Sequence, residues 1–155
     1  MIMLERITTL TDELVKLLKD DPVRPEIPAD FRVDKNSRVY VLKSETGEPM
    51  AVTCVKFLAE IPGSVDDLAN VAVNTTTAVF YTIWSYAQGA GRRLIEAAQQ
   101  DIKSTEPEVK TFVTLSPKTE MARKFHHKNG ATTYRENADS VNYQYHWLPG
   151  FEPTV

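Results

Sequence analysis

The sequence predicts an α/β fold, a mixed β-sheet with helices packed on its faces. Three observations carry that expectation. Residues 75–84 are β-branched and aromatic and hold no charge, the composition of a strand buried on both faces. Residues 85–91 then break the pattern with Gly89 and Gly91, and from Arg92 onward Leu94, Ala98 and Ile102 recur every four residues, with Ile95 beside them, as the apolar stripe of a helix. Finally, strand-like and helix-like segments alternate along the chain in the order β, α, β, β, β, α, β, α, β, β, and residues 75–115 read as a right-handed βαβ crossover.

Taken in order, residues 1–7 lean apolar and read as an edge strand. Leu10, Leu14, Leu17 and Leu18, with Val15, give an amphipathic helix ending near Asp20. Pro22, Pro25 and Pro28 exclude a long helix from residues 21–36, where Phe31 and Val33 are expected in the core or in a substrate cleft. Residues 38–43 and 50–58 form a hairpin across Gly47, and residues 60–70 a loop. After the strand–glycine–helix unit, residues 110–115 are a strand. Ser116-Pro117 then reads as a helix start, with Ser116 as N-cap and proline in the first turn. Met121, Ala122 and Phe125 give that helix its apolar stripe, and Gly130 its stop. Residues 132–136 and 141–147 form a last hairpin, in which Val141, Tyr143, Tyr145 and Trp147 alternate with Asn142, Gln144 and His146, so that one face is buried. The tail, residues 148–155, is expected on the surface.

A length of 155 residues fits one domain, residues 1–155. The net charge of −3 argues against nucleic acid as a partner. Cys54 is the one cysteine, so no intrachain disulfide can form, and a reducing cytoplasmic setting is the simple expectation. No apolar run approaches the ~20 residues that span a bilayer, and Glu5 interrupts the place where a secretory signal would be apolar. The three histidines and Cys54 show no metal-ligand spacing, so no metal is expected.

A buried strand, a glycine loop and a helix start together suit an anion, because the first helical N–H groups are unpaired and the dipole is positive there. Arg92 and Arg93 in the first turn fit either an anionic ligand or a solvated helix start. The NTPase loop needs Gly-Lys-Ser/Thr, which is missing after Gly91, and the dinucleotide fingerprint needs a third glycine. Tyr86-Ala87-Gln88-Gly89-Ala90-Gly91 instead resembles the acyl-CoA pyrophosphate loop of the GCN5-related N-acetyltransferase (GNAT) family, Gln/Arg-x-x-Gly-x-Gly/Ala, with Tyr86 where glutamine or arginine is usual. A second block, Thr119 to Ala131, resembles the family's Asn-x-x-Ala-x-x-x-Tyr-x-x-x-Gly-Phe helix. Ala122 and Gly130 are in register, Thr119 is at the asparagine position and His126 at the tyrosine position.

The resemblance implies a GNAT-like fold, with a central mixed sheet flanked by helices, and an acetyl-CoA-dependent N-acetyltransferase acting on a primary amine of a small molecule or a protein. A homodimer is among the assemblies it allows. By the same resemblance the final strand pair separates to make a slot for the pantetheine arm. Backbone groups near Ile83 and Trp84 hold that arm, and N–H groups from Gln88, Gly89, Ala90, Gly91 and Arg92 cradle the pyrophosphate, with Tyr86 and Thr119 counted among the cofactor-contacting residues. His126 takes the place of the tyrosine that protonates the departing thiolate, since imidazole titrates near neutrality; read from the residues alone it is equally a helix-face histidine bonded to solvent or backbone. No general base declares itself: Glu60, Asp66 and Asp67 read as solvated loop charges, and Cys54 as core filling. Tyr81, Trp84, Tyr143, Tyr145 and Trp147 read as core, with one or two lining an acceptor pocket. The alternative function is a GNAT-like domain that binds acyl-CoA or a protein partner without transferring a group.

Overall fold

The structure is a computed structural model that describes residues 3–7, 9, 10, 12–70 and 72–146. Trp147, the tail at 148–155 and the side chain of Leu14 lie outside the described residues.

Seven strands form one sheet in the order β1-β2-β3-β4-β5-β7-β6. The strands are β1 (Met3–Ile7), β2 (Ser37–Lys43), β3 (Pro49–Leu58), β4 (Thr77–Ser85), β5 (Thr111–Thr114), β6 (Thr132–Glu136) and β7 (Val141–Tyr145). All neighbours pair antiparallel except β4 and β5, which are parallel and joined through helix α3 (Ala90–Thr105). This is the mixed sheet the sequence predicts. The long strands β3 and β4 are buried over nearly their whole length; β4 is uncharged and rich in β-branched and aromatic residues, and the one charge of β3, Lys56, is paired with Asp34.

The core has two halves, one on each face of the sheet. On one face α3 lays Leu94, Ile95, Ala98 and Ile102 against Tyr40, Val55, Phe80, Phe112 and Tyr143. Fully burying each large side chain of that stripe contributes about 1.5–3 kcal/mol. On the other face α1 (Asp12–Leu18) and the proline-rich segment containing α2 (Ala29–Arg32) cover Val39, Val52, Cys54, Tyr81 and Trp84. Phe31 and Val33 are half-buried against this second half, Phe31 edge-on to Tyr81 at 6.2 Å between centroids. Leu10 falls outside α1 and is exposed, because the helix starts after it.

Three expectations about the C-terminal part are corrected. Helix α4 (Glu120–Lys128) starts later than Ser116-Pro117 suggests. Its N-cap is Thr119, in extended conformation, whose hydroxyl accepts from the Ala122 N–H at 3.2 Å. Ser116 instead prolongs β5 by a bridge to Val141, and its hydroxyl donates to Thr114 Oγ1 at 2.7 Å. Met121 is not part of a buried stripe but is 82% exposed, because α4 meets the sheet through Phe125 and His126. Finally, β7 is buried on both faces. Asn142 is fully buried and donates to the carbonyls of Pro62 (2.9 Å) and Thr114 (2.8 Å), tying the loop after β3 to the sheet.

Candidate active-site cleft

The parallel pair β4–β5 holds register from Thr77↔Thr111 to Phe80↔Thr114 and then parts. It is this pair that separates, not the final one: β6 and β7 stay bonded from Thr132↔Gln144 to Glu136↔Val141. A bulge in β4 at Tyr81 marks the start of the split, since Cys54 pairs with Thr82 and Val55 with Phe80. A cleft of about 380 Å³ opens at this point. Its walls are Ile83, Trp84 and Ser85 from β4, residues 115–117 after β5, and Ala122, Phe125 and His126 from α4, with Gly91 of α3 and Pro22 and Val23 also lining it.

The glycine loop meets the cleft at Gly91. Gly89 is the N-cap of α3 with φ 78°, a left-handed conformation that glycine adopts without steric cost. No side chain caps α3 there; the Ala90 N–H donates to the Ala87 carbonyl at 3.2 Å, and the N–H groups of Gly91 and Arg92 follow it in the first turn. Gly91 sits beneath the Phe125 ring, where an added Cβ would lie 3.0 Å from two ring carbons. The glycine therefore permits close packing of α3 on α4.

Of the expected cofactor residues, Ile83, Trp84, Gly91 and Thr119 line the cleft together with His126. Gln88, Gly89, Ala90 and Arg92 form the loop and first turn of α3 beside it, Arg92 exposed and paired with Glu96 at 3.2 Å. The Tyr86 side chain turns elsewhere. Its hydroxyl donates to Asp20 Oδ2 at 2.7 Å and accepts from Trp84 Nε1 at 3.0 Å, linking the end of α1 to the end of β4.

His126 is buried, 3% exposed, between the Tyr143 ring, which stacks on it at 5.1 Å, and Phe125. Its Nδ1 lies 2.7 Å from the Tyr145 hydroxyl. Burial, reinforced by neighbouring His127, pushes its pKa down to about 4. The expectation of a group titrating near neutrality is thus corrected: at pH 7 the imidazole is neutral. With Tyr145 donating to Nδ1, the remaining proton is on Nε2.

Sequence reasoning missed the polar cluster behind the cleft. Asp21 and Arg32 form a buried ion pair at 2.7 Å, both side chains 1% exposed or less. Arg32 also reaches Cys54 Sγ at 3.5 Å and the Arg24 carbonyl at 2.8 Å, while Asp21 accepts from Thr82 Oγ1 at 2.8 Å. Burial keeps the Cys54 thiol protonated, pushed up to about 11. Asp21, Arg24 and Arg32 lie in an aperiodic, proline-rich stretch, where charges ordinarily face water, so their burial left no pattern to read. Among the described residues no cluster of three or more His, Cys, Asp or Glu is arranged to hold a metal. No described helix is long and apolar enough to cross a membrane.

No protein-family model and no curated protein matches the sequence. Solved structures do. The chain is similar to a malonyl-CoA decarboxylase from Rhodopseudomonas palustris, at 21% identity and TM-score 0.73 over 93% of this chain and 59% of that one. It is similar to a Bacillus subtilis acetyltransferase solved with CoA, at 13% identity and TM-score 0.68, over 96% of this chain and 100% of that one. It is also similar to Tetrahymena GCN5, at 13% identity and TM-score 0.66, over 97% and 99% of the two chains. The chain spans between 31% and 59% of the lengths of the three malonyl-CoA decarboxylases it matches. These likenesses establish the fold: the chain has the GNAT fold, with its sheet, split parallel pair and flanking helices.

Proposed function

We propose that the cleft receives the pantetheine arm and thioester of an acyl-CoA, acetyl-CoA in the simplest case, and that the chain transfers the acyl group to a primary amine of a small molecule or a protein. One observation carries the reading. An uncapped, glycine-opened helix N-terminus adjoins a cleft between parted strands, and buried His126 forms part of its wall. The N–H groups of Gly89, Gly91 and Arg92 then hold the pyrophosphate, as helix N-termini hold anions. Main-chain groups at Ile83 and Trp84 orient the arm, while Trp84 and Phe125 exclude water. The acyl-CoA supplies an activated carbonyl and a thiolate leaving group. His126, neutral, offers a hydrogen bond to the developing thiolate, which takes up the proton released by the attacking amine, while the buried Tyr145 hydroxyl, its pKa raised by burial, stays protonated and holds the ring at Nδ1. The free, buried Cys54 thiol fits a reducing cytoplasmic setting.

The test is a melting-temperature shift with acetyl-CoA beside a thiol-release assay over a panel of amines. No shift would refute the cleft assignment. A shift without thiol release would leave an acyl-CoA-binding domain.

A second reading is decarboxylation of a malonyl-CoA-type thioester. It is favoured by the absence of any carboxylate among the cleft-lining residues, so that none is placed to take a proton from an ammonium acceptor. Loss of carbon dioxide needs no such base, only a donor to the carbon left behind, and His126 lines the cleft. The likeness to malonyl-CoA decarboxylases supports it. Conversion of malonyl-CoA to acetyl-CoA without amine would establish this reading over the first.

A further inference from the structure

The parting of β4 and β5 has local causes in both strands. The last main-chain bond between them runs from the Leu115 N–H to the Phe80 carbonyl at 3.1 Å, although β4 continues to Ser85. On one side the bulge at Tyr81 changes which way the following peptide groups face. On the other, Pro117 has no N–H to extend the ladder, and the Ser116 N–H is turned away to the Val141 carbonyl at 2.9 Å. The carbonyls of Tyr81 and Leu115 are thereby left without strand partners across the gap. Both are acceptors, so they cannot bond each other.

Arg24 joins them. Its Nε donates to the Tyr81 carbonyl at 3.0 Å and its Nη2 to the Leu115 carbonyl at 2.8 Å. A single planar guanidinium therefore fixes the spacing of the two strands at the point where they part. The side chain is anchored by its own loop. Asp21 Oδ1 accepts from the N–H groups of Val23 (2.8 Å) and Arg24 (3.0 Å), and Arg32 Nη2 donates to the Arg24 carbonyl at 2.8 Å. Arg24 is 8% exposed and, among the described residues, forms no salt bridge. A buried cation bonded to neutral carbonyls is a costly way to stabilise a fold, since desolvation is not offset by an opposite charge in contact. Its place is informative: Pro22 and Val23, immediately before it, line the cleft, as do Tyr81 and Leu115, whose carbonyls it holds.

We propose that Arg24 is a positioning residue that sets the width of the slot between β4 and β5, and so governs entry of a pantetheine arm while leaving the anion site at α3 untouched. The proposal rests on the acyl-CoA reading of the cleft. Its test compares CoA with ADP, which carries a pyrophosphate but no arm, in calorimetric titrations of the wild-type chain, Arg24→Met and Arg24→Lys. Arg24→Met is expected to weaken CoA by about tenfold or more and to leave ADP binding unchanged. Arg24→Lys, with a single ammonium in place of the fork, is expected to fall between. Guanidinium ion at low millimolar concentration is expected to restore CoA binding to Arg24→Ala, an effect that a general loss of stability would not give. Equal loss of CoA and ADP in the variants, or loss of neither, would overturn the proposal. So would unfolding of both Arg24→Met and Arg24→Lys, because Arg24 would then hold the fold rather than the slot. Wild-type protein that binds no CoA would sink the acyl-CoA reading itself, an outcome distinct from these.

Discussion

The depressed pKa of His126 makes a measurable statement about stability. In the folded chain it titrates at about 4, against 6.5 for an unperturbed imidazole. Above the unfolded value both states are neutral and the group has no effect. As pH falls below it, the unfolded chain takes up a proton that the buried site refuses, so stability is lost down to the folded value. Each unit is worth about 1.4 kcal/mol, so the full penalty is about 3 kcal/mol, of which about 2 kcal/mol has accrued by pH 5. The assay is urea denaturation of the wild type and His126→Gln at pH 7 and pH 5. The variant loses hydrogen-bonding quality at both pH values, so the informative quantity is the difference between the two pH-dependent losses. The wild type should lose about 2 kcal/mol more than the variant. Equal losses would refute the burial argument, and with it the picture of a neutral imidazole that donates through Nε2 at pH 7.

Three further perturbations test other parts of the structure. Asp21→Asn leaves Arg32 charged and buried without its carboxylate, and should cost about 3–5 kcal/mol in urea denaturation. Gly91→Ala drives a Cβ against the Phe125 ring and should cost about 1–3 kcal/mol, with a fall in CoA affinity as α3 and α4 move apart. Tyr145→Phe removes the partner of His126 Nδ1 inside the protein, and should cost about 1–3 kcal/mol while slowing turnover more than it raises KM.

Much of the fold could be read from periodicity. The uncharged stretch at residues 75–84, the four-residue recurrence from Leu94 to Ile102 and the hairpin across Gly47 all announce elements whose burial follows from composition. The loop at Gly89 and the placing of His126 on a helix were likewise visible as motifs. The misplaced helix start at Ser116 has a simple origin. Ser-Pro and Thr-Glu are both acceptable starts, and what decided between them was the bridge from Ser116 to Val141, a partner some two dozen residues away that no local rule contains. The same holds for Met121, which is apolar and in phase with Phe125 yet exposed, because the cleft rather than the sheet lies beside it. The charges at Asp21, Arg24 and Arg32 were out of reach for a further reason. Asp21 and Arg32 pair with each other, but the carbonyls that receive Arg24 and the hydroxyl that donates to Asp21 come from distant parts of the chain, and such partners leave no trace in the residue types of the segment itself.

The two bonds made by Arg24 close loops of 57 and 91 residues. Contacts between such distant positions form late in folding, since the entropy of closing the loop must be met before the contact contributes. The N-terminal third of the chain therefore cannot shape the cleft until the central and C-terminal strands are in place. Refolding should show recovery of sheet signal ahead of any capacity to bind ligand. A ligand for the cleft would add its binding energy to the last step of assembly, slowing unfolding more than it speeds folding.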